Sequence, residues 1–217
     1  MRRIFSNNRP MAITTVLLGV FGLLIIRTHG AGATSPLATE SVQQSSTSNT
    51  GQNASQKYFT DVELTNQNGE KMRLYNDLLK GKVVVINSFF STCQASCLPL
   101  IRNMRNLQTA LGDKVGSEVY LISISVDPTM DTPERLREFA KRNGARPGWV
   151  FLSGDKTNVD FALHKLGQYV DKKEDHVNIF IIGNERTGLW KKAFGLAASD
   201  ELLKVVESVL KDKGTAG

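Results

Sequence analysis

The sequence predicts an α/β protein: one sheet of buried strands flanked by helices, with an added N-terminal β-hairpin. Three observations predict it. Val83-Val84-Val85-Ile86 is a short β-branched run without polar alternation, as in a strand covered on both faces, and Val119-Tyr120-Leu121-Ile122-Ser123-Ile124-Ser125-Val126 reads as a second buried strand. After each comes a segment whose apolar residues recur at helical spacing. Glycine, asparagine and proline stand between the segments, where turns need them.

The chain of 217 residues is long enough for one well-buried domain with appendages. Residues 1–33 are expected to be a signal peptide or an N-terminal membrane anchor. Met11 to Ile26 is apolar apart from Thr14, Thr15, Gly19 and Gly22, and Arg2, Arg3 and Arg9 precede it. As a helix it spans roughly 24 Å, short of a hydrocarbon core of about 30 Å. Ala31-Gly32-Ala33 has the small-residue pattern of a cleavage site, whereas Arg27 and His29 before it oppose cleavage. Either outcome leaves the arginines inside and exports the rest, to a compartment where disulfides persist. Residues 34–56 are Ser, Thr, Gln, Asn, Gly and Ala almost throughout. Such a segment buries too little to offset its chain entropy and is expected to be a flexible linker. The ordered domain is then 57–217.

Within it, Phe59 to Leu64 alternates as a strand, Asn66-Gln67-Asn68-Gly69 turns the chain, and Lys71 to Leu74 returns it. Asp77 to Gly81 is one helical turn closed by glycine. The first buried strand follows, then Phe89 to Pro99 with both cysteines. A helix runs from Leu98 to near Gly112, followed by the second buried strand and Asp127-Pro128-Thr129-Met130-Asp131-Thr132-Pro133. Thr132 caps the next helix with Pro133 in its first turn. Val150 to Leu152 is a strand and Thr157 to Leu166 a helix. Val177 to Ile182 and Leu189 to Phe194 are strands joined by a turn, and Ser199 caps a closing helix. This order is that of a thioredoxin-like sheet.

Composition excludes one partner class. The formal charge is +6, but four of the 27 basic side chains lie in residues 1–33, so 23 remain against 21 acids, a net +2. No basic patch with interleaved aromatics is present, and nucleic acid is not an expected partner.

The chemistry centres on Cys93 and Cys97, the two cysteines of the chain, where a buried strand hands over to a helix. Open α/β sheets place sites there, and a helix start is expected to lower thiol pKa values. If helical, the pair is i and i+4, with Cα atoms roughly 6 Å apart and able to bridge. The competing reading is a pair of structural thiols or a stabilising disulfide, but so short a loop gains little from closure. An exchange enzyme usually has two residues between its cysteines and a cis-proline facing them. Here there are three, and the last proline is Pro147. A peroxidase needs a threonine three residues before its reactive cysteine, where Phe90 and Gln94 stand. A metal site gains by the same facts. Two thiolates with one imidazole are too few to close a structural zinc site and suit copper, as Cu(I) or, with a weak further ligand, Cu(II). Of three histidines, His29 lies in the export segment and His164 in a helix beside Leu163 and Leu166. His176 enters a strand opposite the cysteine helix, and Asp175 beside it is placed to orient the ring. Met130 and the Lys172-Lys173-Glu174-Asp175 run read as ordinary surface. Thiol–disulfide exchange stays open as the alternative.

Gly81-Lys82-Val83-Val84-Val85-Ile86, the CxxxC pair with Pro99 close behind, Ser125-Val126-Asp127-Pro128 with Asp131-Thr132-Pro133, and Asp175-His176 before a strand together resemble the Sco/SenC family. The similarity runs from about Tyr58 to Leu210. It implies an extracytoplasmic, thioredoxin-fold copper chaperone at the periplasmic side of the inner membrane. It also implies that Cys93, Cys97 and His176 bind one copper ion. The expected client is the cytochrome oxidase subunit carrying the dinuclear copper centre, whose cysteines the protein also reduces, drawing on a thiol reductant. Asp127 and Asp131 correspond to an acidic loop near the site; for Asp131 plain capping and turn formation is the favoured role. The sequence departs from the family pattern at Leu98, at Gln94-Ala95-Ser96 between the cysteines, and at Gly183-Asn184-Glu185-Arg186, where the family carries Asp-Pro.

Overall fold

The computed structural model describes residues 48–93 and 97–214, with side chains from Ala54 onward. The expected export segment and the linker up to residue 47 lie outside the described residues. The described chain starts with helix α1 (Ser48–Phe59), then strands β1 (Glu63–Asn66) and β2 (Lys71–Arg73), and a single wide helical turn at Leu74–Leu79. There follow β3 (Val83–Phe89), α2 (Cys97–Leu111), β4 (Val119–Ser125), α3 (Pro133–Arg142), β5 (Trp149–Ser153) and α4 (Lys156–Leu166). A short turn at Lys173–Asp175 leads to β6 (Ile179–Asn184), β7 (Leu189–Phe194) and α5 (Ser199–Leu210).

The strands form one sheet in the order β2-β1-β5-β4-β3-β6-β7. β3, β4 and β5 are parallel, whereas β6 runs antiparallel to β3 and the N-terminal hairpin extends the other side through β5. Alternate residues of β3 serve two cores. Val83, Val85 and Phe89 face α2, α3 and α5, and Val84 and Ile86 face α1, the Leu74–Leu79 turn and α4. The helices thus cover both faces, in keeping with the unbroken apolar run Val83–Ile86 that opens β3.

The elements follow local chemistry. Asn66 Oδ1 accepts the backbone N–H groups of Asn68 and Glu70 at 2.9 and 3.0 Å, and Gly69 at φ +84° closes the turn. Thr132 caps α3 through the N–H of Arg135, as its position before Pro133 predicts.

Several expectations change, among them the strand expected over Phe59 to Leu64, because Phe59 ends α1 and the first strand is Glu63–Asn66. The linker was expected to reach Gln56, but α1 begins at Ser48. A buried aromatic secures its end: the Phe59 ring packs tilted against Trp190, centroids 5.3 Å apart. β3 continues three residues past Ile86, and the Asn87 side chain has a partner inside the sheet. Trp149 Nε1 donates to Ser123 Oγ at 3.0 Å, and Ser123 Oγ donates to Asn87 Oδ1 at 2.7 Å. Ser199 is the first residue of α5 rather than its cap, since its hydroxyl donates instead to Asn103 Oδ1 of α2 at 2.9 Å.

Candidate metal centre

The site grows out of the carboxyl end of β3. Val126 donates its N–H to the Phe89 carbonyl at 2.8 Å, so the segment after β4 lies beside the segment that carries the cysteines. Asp131, buried at 1 % exposure, fastens the two together. Its carboxylate accepts the backbone N–H and the hydroxyl of Ser91, and the hydroxyl of Ser125 at 2.5 Å. Three donors, two of them two residues before Cys93, satisfy a charge that burial alone would make costly. Asp131 is therefore a strut under the cysteine loop and not the helix cap expected from its sequence position, which Thr132 fills.

Cys93 lies in that loop, half-buried, its N–H on the Phe90 carbonyl at 3.2 Å. Cys97 is the first residue of α2 and is buried. The pair is therefore a loop residue and a helix start, not two neighbours on one helix face. The Cys97 N–H approaches Cys93 Sγ at 3.3 Å, as helix-start amides do with electron-rich groups. Neither cysteine is in a disulfide. Gln94, Ala95 and Ser96 lie outside the described residues.

His176 arrives from the far side, between the Lys173–Asp175 turn and β6. Its Nδ1 stands 3.1 Å from the Lys173 carbonyl. A carbonyl only accepts, so Nδ1 carries the proton and Nε2 of the neutral ring presents its lone pair. Nε2 is 3.0 Å from Cys97 Sγ. Phe90 holds the ring edge-on at 5.4 Å between centroids. Burial lowers the His176 pKa, against the opposing effect of the Lys173 carbonyl. Burial also pushes the Cys97 thiol well up, with its hydrogen bond to Cys93 adding to the rise. The helix start was expected to lower the thiol pKa; for Cys97, desolvation outweighs it.

The donor atoms of Cys93, Cys97 and His176 all lie within 4.8 Å of one another, the one such group of Cys, His, Asp and Glu among the described residues. Donors bound to one ion at about 2.0–2.3 Å stand at most about 4.6 Å apart, so binding needs only a slight closure. Two thiolates and an imidazole form a soft set that suits copper or zinc. With half-buried Cys93 toward solvent, a partner's ligand has a side from which to enter.

The remaining expected residues fall into place around this group. Asp175 is exposed, and the Lys173 carbonyl, not Asp175, occupies Nδ1; the tight Lys173–Asp175 turn brings that carbonyl to the ring. Asp127 acts at one remove, its carboxylate 2.7 Å from Lys173 Nζ. Lys173 is thus not the freely solvated residue its charged run suggested, since its ammonium also lies 5.4 Å from the Phe90 ring. His164 is exposed and stacks on Tyr169 at 3.8 Å. Met130 is exposed. Lys173, Phe90 and Ser91 were not singled out in sequence. An Asp-Pro…Asp-Thr-Pro loop gave a signal for Asp131, whereas nothing local marks Lys173.

Comparison with known proteins places this arrangement. The SCO1/SenC family model matches residues 50–210. A "SCO1 protein homolog" of Bacillus subtilis is 34 % identical over 112 residues, 50 % of this chain and 56 % of that protein. A Stutzerimonas stutzeri protein provisionally named as copper-binding is 25 % identical over 112 residues, 52 % of this chain and 53 % of its own. The chain thus spans about half the length of these curated relatives. The crystal structure of a SCO1/SenC family lipoprotein from Bacillus anthracis aligns with TM-score 0.59 and 26 % identity, over 69 % of this chain and 92 % of that one. BsSco, described with a disulfide switch and as a member of the Sco family of cytochrome c oxidase assembly proteins, aligns with TM-score 0.58 and 29 % identity, over 70 % and 92 %. The fold is that of the thioredoxin-like Sco structures, and the chain belongs to the SCO1/SenC family.

Proposed function

We propose that this chain is an extracytoplasmic copper metallochaperone that serves cytochrome c oxidase assembly, with Cys93, Cys97 and His176 as the ligands of one copper ion. The observation that carries the reading is the Nε2 lone pair of His176 aimed at Cys97 Sγ at 3.0 Å, with Cys93 beside them. The provisional name of the S. stutzeri relative and the assembly role of BsSco support it. Copper is cargo here. It enters as the thiol protons leave, and it departs by ligand exchange when thiolates of the client, the subunit that carries the dinuclear copper centre, attack from the Cys93 side. Residues 1–33 hold or deliver the domain at the outer face of the membrane, in keeping with the lipoprotein relative. Among the described residues no helix is long and apolar enough to cross a membrane.

A second reading, thiol–disulfide exchange with exported clients, is favoured by one observation: the two cysteines are in the dithiol form with their sulfurs within 4.8 Å of each other. In that reading two thiols become one disulfide as a client disulfide is reduced, and bridging removes both sulfur ligands. The test is competitive titration of the reduced protein with Cu(I) against a chelator, beside Cys93→Ala. One tightly bound equivalent, lost in the variant, supports the chaperone. No binding by a protein that still cycles between dithiol and disulfide overturns it in favour of exchange.

A further inference from the structure

On the sheet face away from the cysteines, a cleft of about 440 Å³ opens between α1, α4 and β7. That volume lies in the range of small-ligand sites, roughly 300–1,000 Å³. Phe59, Leu166, Ile181 and Trp190 form its walls. Gly183 makes the floor possible: a Cβ there would come within 2.2 Å of the Trp190 ring, so only glycine lets the indole lie down on β6. Trp190 stays half-buried, unlike Trp149, which is in the core.

The rim is cationic. Lys165, Lys191 and Lys192 line the cleft, and no carboxylate does. Lys191 donates to Ser208 Oγ at 2.8 Å. Neither Lys165 nor Lys192 has an ion-pair partner among the described residues, where most ion pairs are short-range pairs of the i,i+4 kind. Lys165 instead rests its ammonium 4.7 Å from the Tyr58 ring and 5.2 Å from the Phe161 ring. An apolar floor under two unneutralised ammonium groups calls for an occupant with an apolar body and an anionic head. One wall of the cleft is α1, which starts at Ser48, later in the chain than the expected export run Met11–Ile26. The amphiphile nearest to such a segment is a membrane lipid.

We propose that this cleft binds an acidic phospholipid, with the acyl chain along Trp190, Ile181 and Leu166 and the phosphate between Lys165 and Lys192. The site shares no residue with the cysteine–histidine centre and does not depend on it. It gives the exported domain a preferred face toward the bilayer, with the copper-site face turned to the other side of the sheet.

The experiment follows tryptophan emission of the full-length protein during titration with short-chain phosphatidylglycerol below its micelle concentration. Trp149 and Trp190 are the two tryptophans of the chain, and Trp190 is the one placed to respond. A saturable blue shift is expected, absent with phosphatidylcholine of the same chains and with inorganic phosphate. In K165E/K192E, checked for folding by circular dichroism, binding is expected to weaken about tenfold. Equal binding of phosphatidylcholine, undiminished binding by the double variant, or no saturable shift overturns the proposal. So does a free fatty acid that binds as tightly as phosphatidylglycerol, which would make the ligand a soluble carboxylate.

Discussion

Lys173 and Asp127 are joined by an ion pair of 2.7 Å between side chains that are 35 % and 12 % exposed. The same lysine offers its carbonyl to His176 Nδ1 at 3.1 Å. The loop after β4 thereby holds the histidine loop through Lys173 while it holds the cysteine loop through Asp131. Two segments far apart in sequence are thus fixed to one brace. A support beyond the ligands is commonly worth 10- to 100-fold in metal affinity. Asp127→Asn is expected to lower Cu(I) affinity about tenfold and Lys173→Met similarly. The double variant should lose no more than either alone, because both remove one interaction. Additive losses in chelator competition would show that the pair is not the support.

Asp131→Asn tests the other arm. The amide keeps the shape but turns one acceptor into a donor facing Ser91 and Ser125. Leaving buried donors unmatched costs about 1–3 kcal/mol, read as a lower denaturation midpoint. Because Ser91 sits two residues before Cys93, alkylation of Cys93 in the folded variant should also speed up. Unchanged alkylation would confine Asp131 to stability.

Removing a ligand should exceed either support. His176→Ala is expected to weaken Cu(I) binding by more than about 100-fold. Its dithiol–disulfide interconversion should persist, because both sulfurs remain within reach. Wild-type affinity in this variant would remove His176 from the ligand set.

Tyr75 and Glu185 carry a pH signature at the opposite end of β3. The buried Tyr75 hydroxyl donates to Glu185 Oε1 at 3.0 Å, and Glu185 Oε2 accepts the Gly81 N–H at 2.7 Å. Burial first, then the Glu185 hydrogen bond, raises the phenol from its usual 10.0 to about 12. A group raised on folding stabilises the protein fully below its unfolded pKa. That contribution declines as pH climbs through the folded value. Wild-type stability should therefore fall between pH 10 and about 12. Tyr75→Phe should be less stable at neutral pH and lack that component of the alkaline decline, as measured by denaturant titration at several pH values. An unchanged alkaline profile in Tyr75→Phe would assign the loss to other groups.

The Glu185 carboxylate, at 3 % exposure, ties the β6–β7 turn to Tyr75 and Gly81.

Local sequence determined much of the domain. The β-branched run Val83–Ile86 and the Val- and Ile-rich run Val119–Val126 read as buried strands, so β3 and β4 were legible without partners. Asn66–Gly69 and Thr132-Pro133 carry their geometry in their own chemistry, and three cysteine and histidine positions stood out by residue type. Tertiary structure decided what depends on residues distant in the chain. The length of β3 follows from the Asn87–Ser123–Trp149 hydrogen bonds, and the anchoring of the end of α1 from a contact between Phe59 and Trp190. The roles of Asp131 and Lys173 depend on Ser91 and Asp127 lying beside them, and the high Cys97 pKa on burial that no helix-start rule contains. A side chain's type sets which interactions it can make; which one it makes, and in what dielectric, is settled only when the sheet brings the partners together.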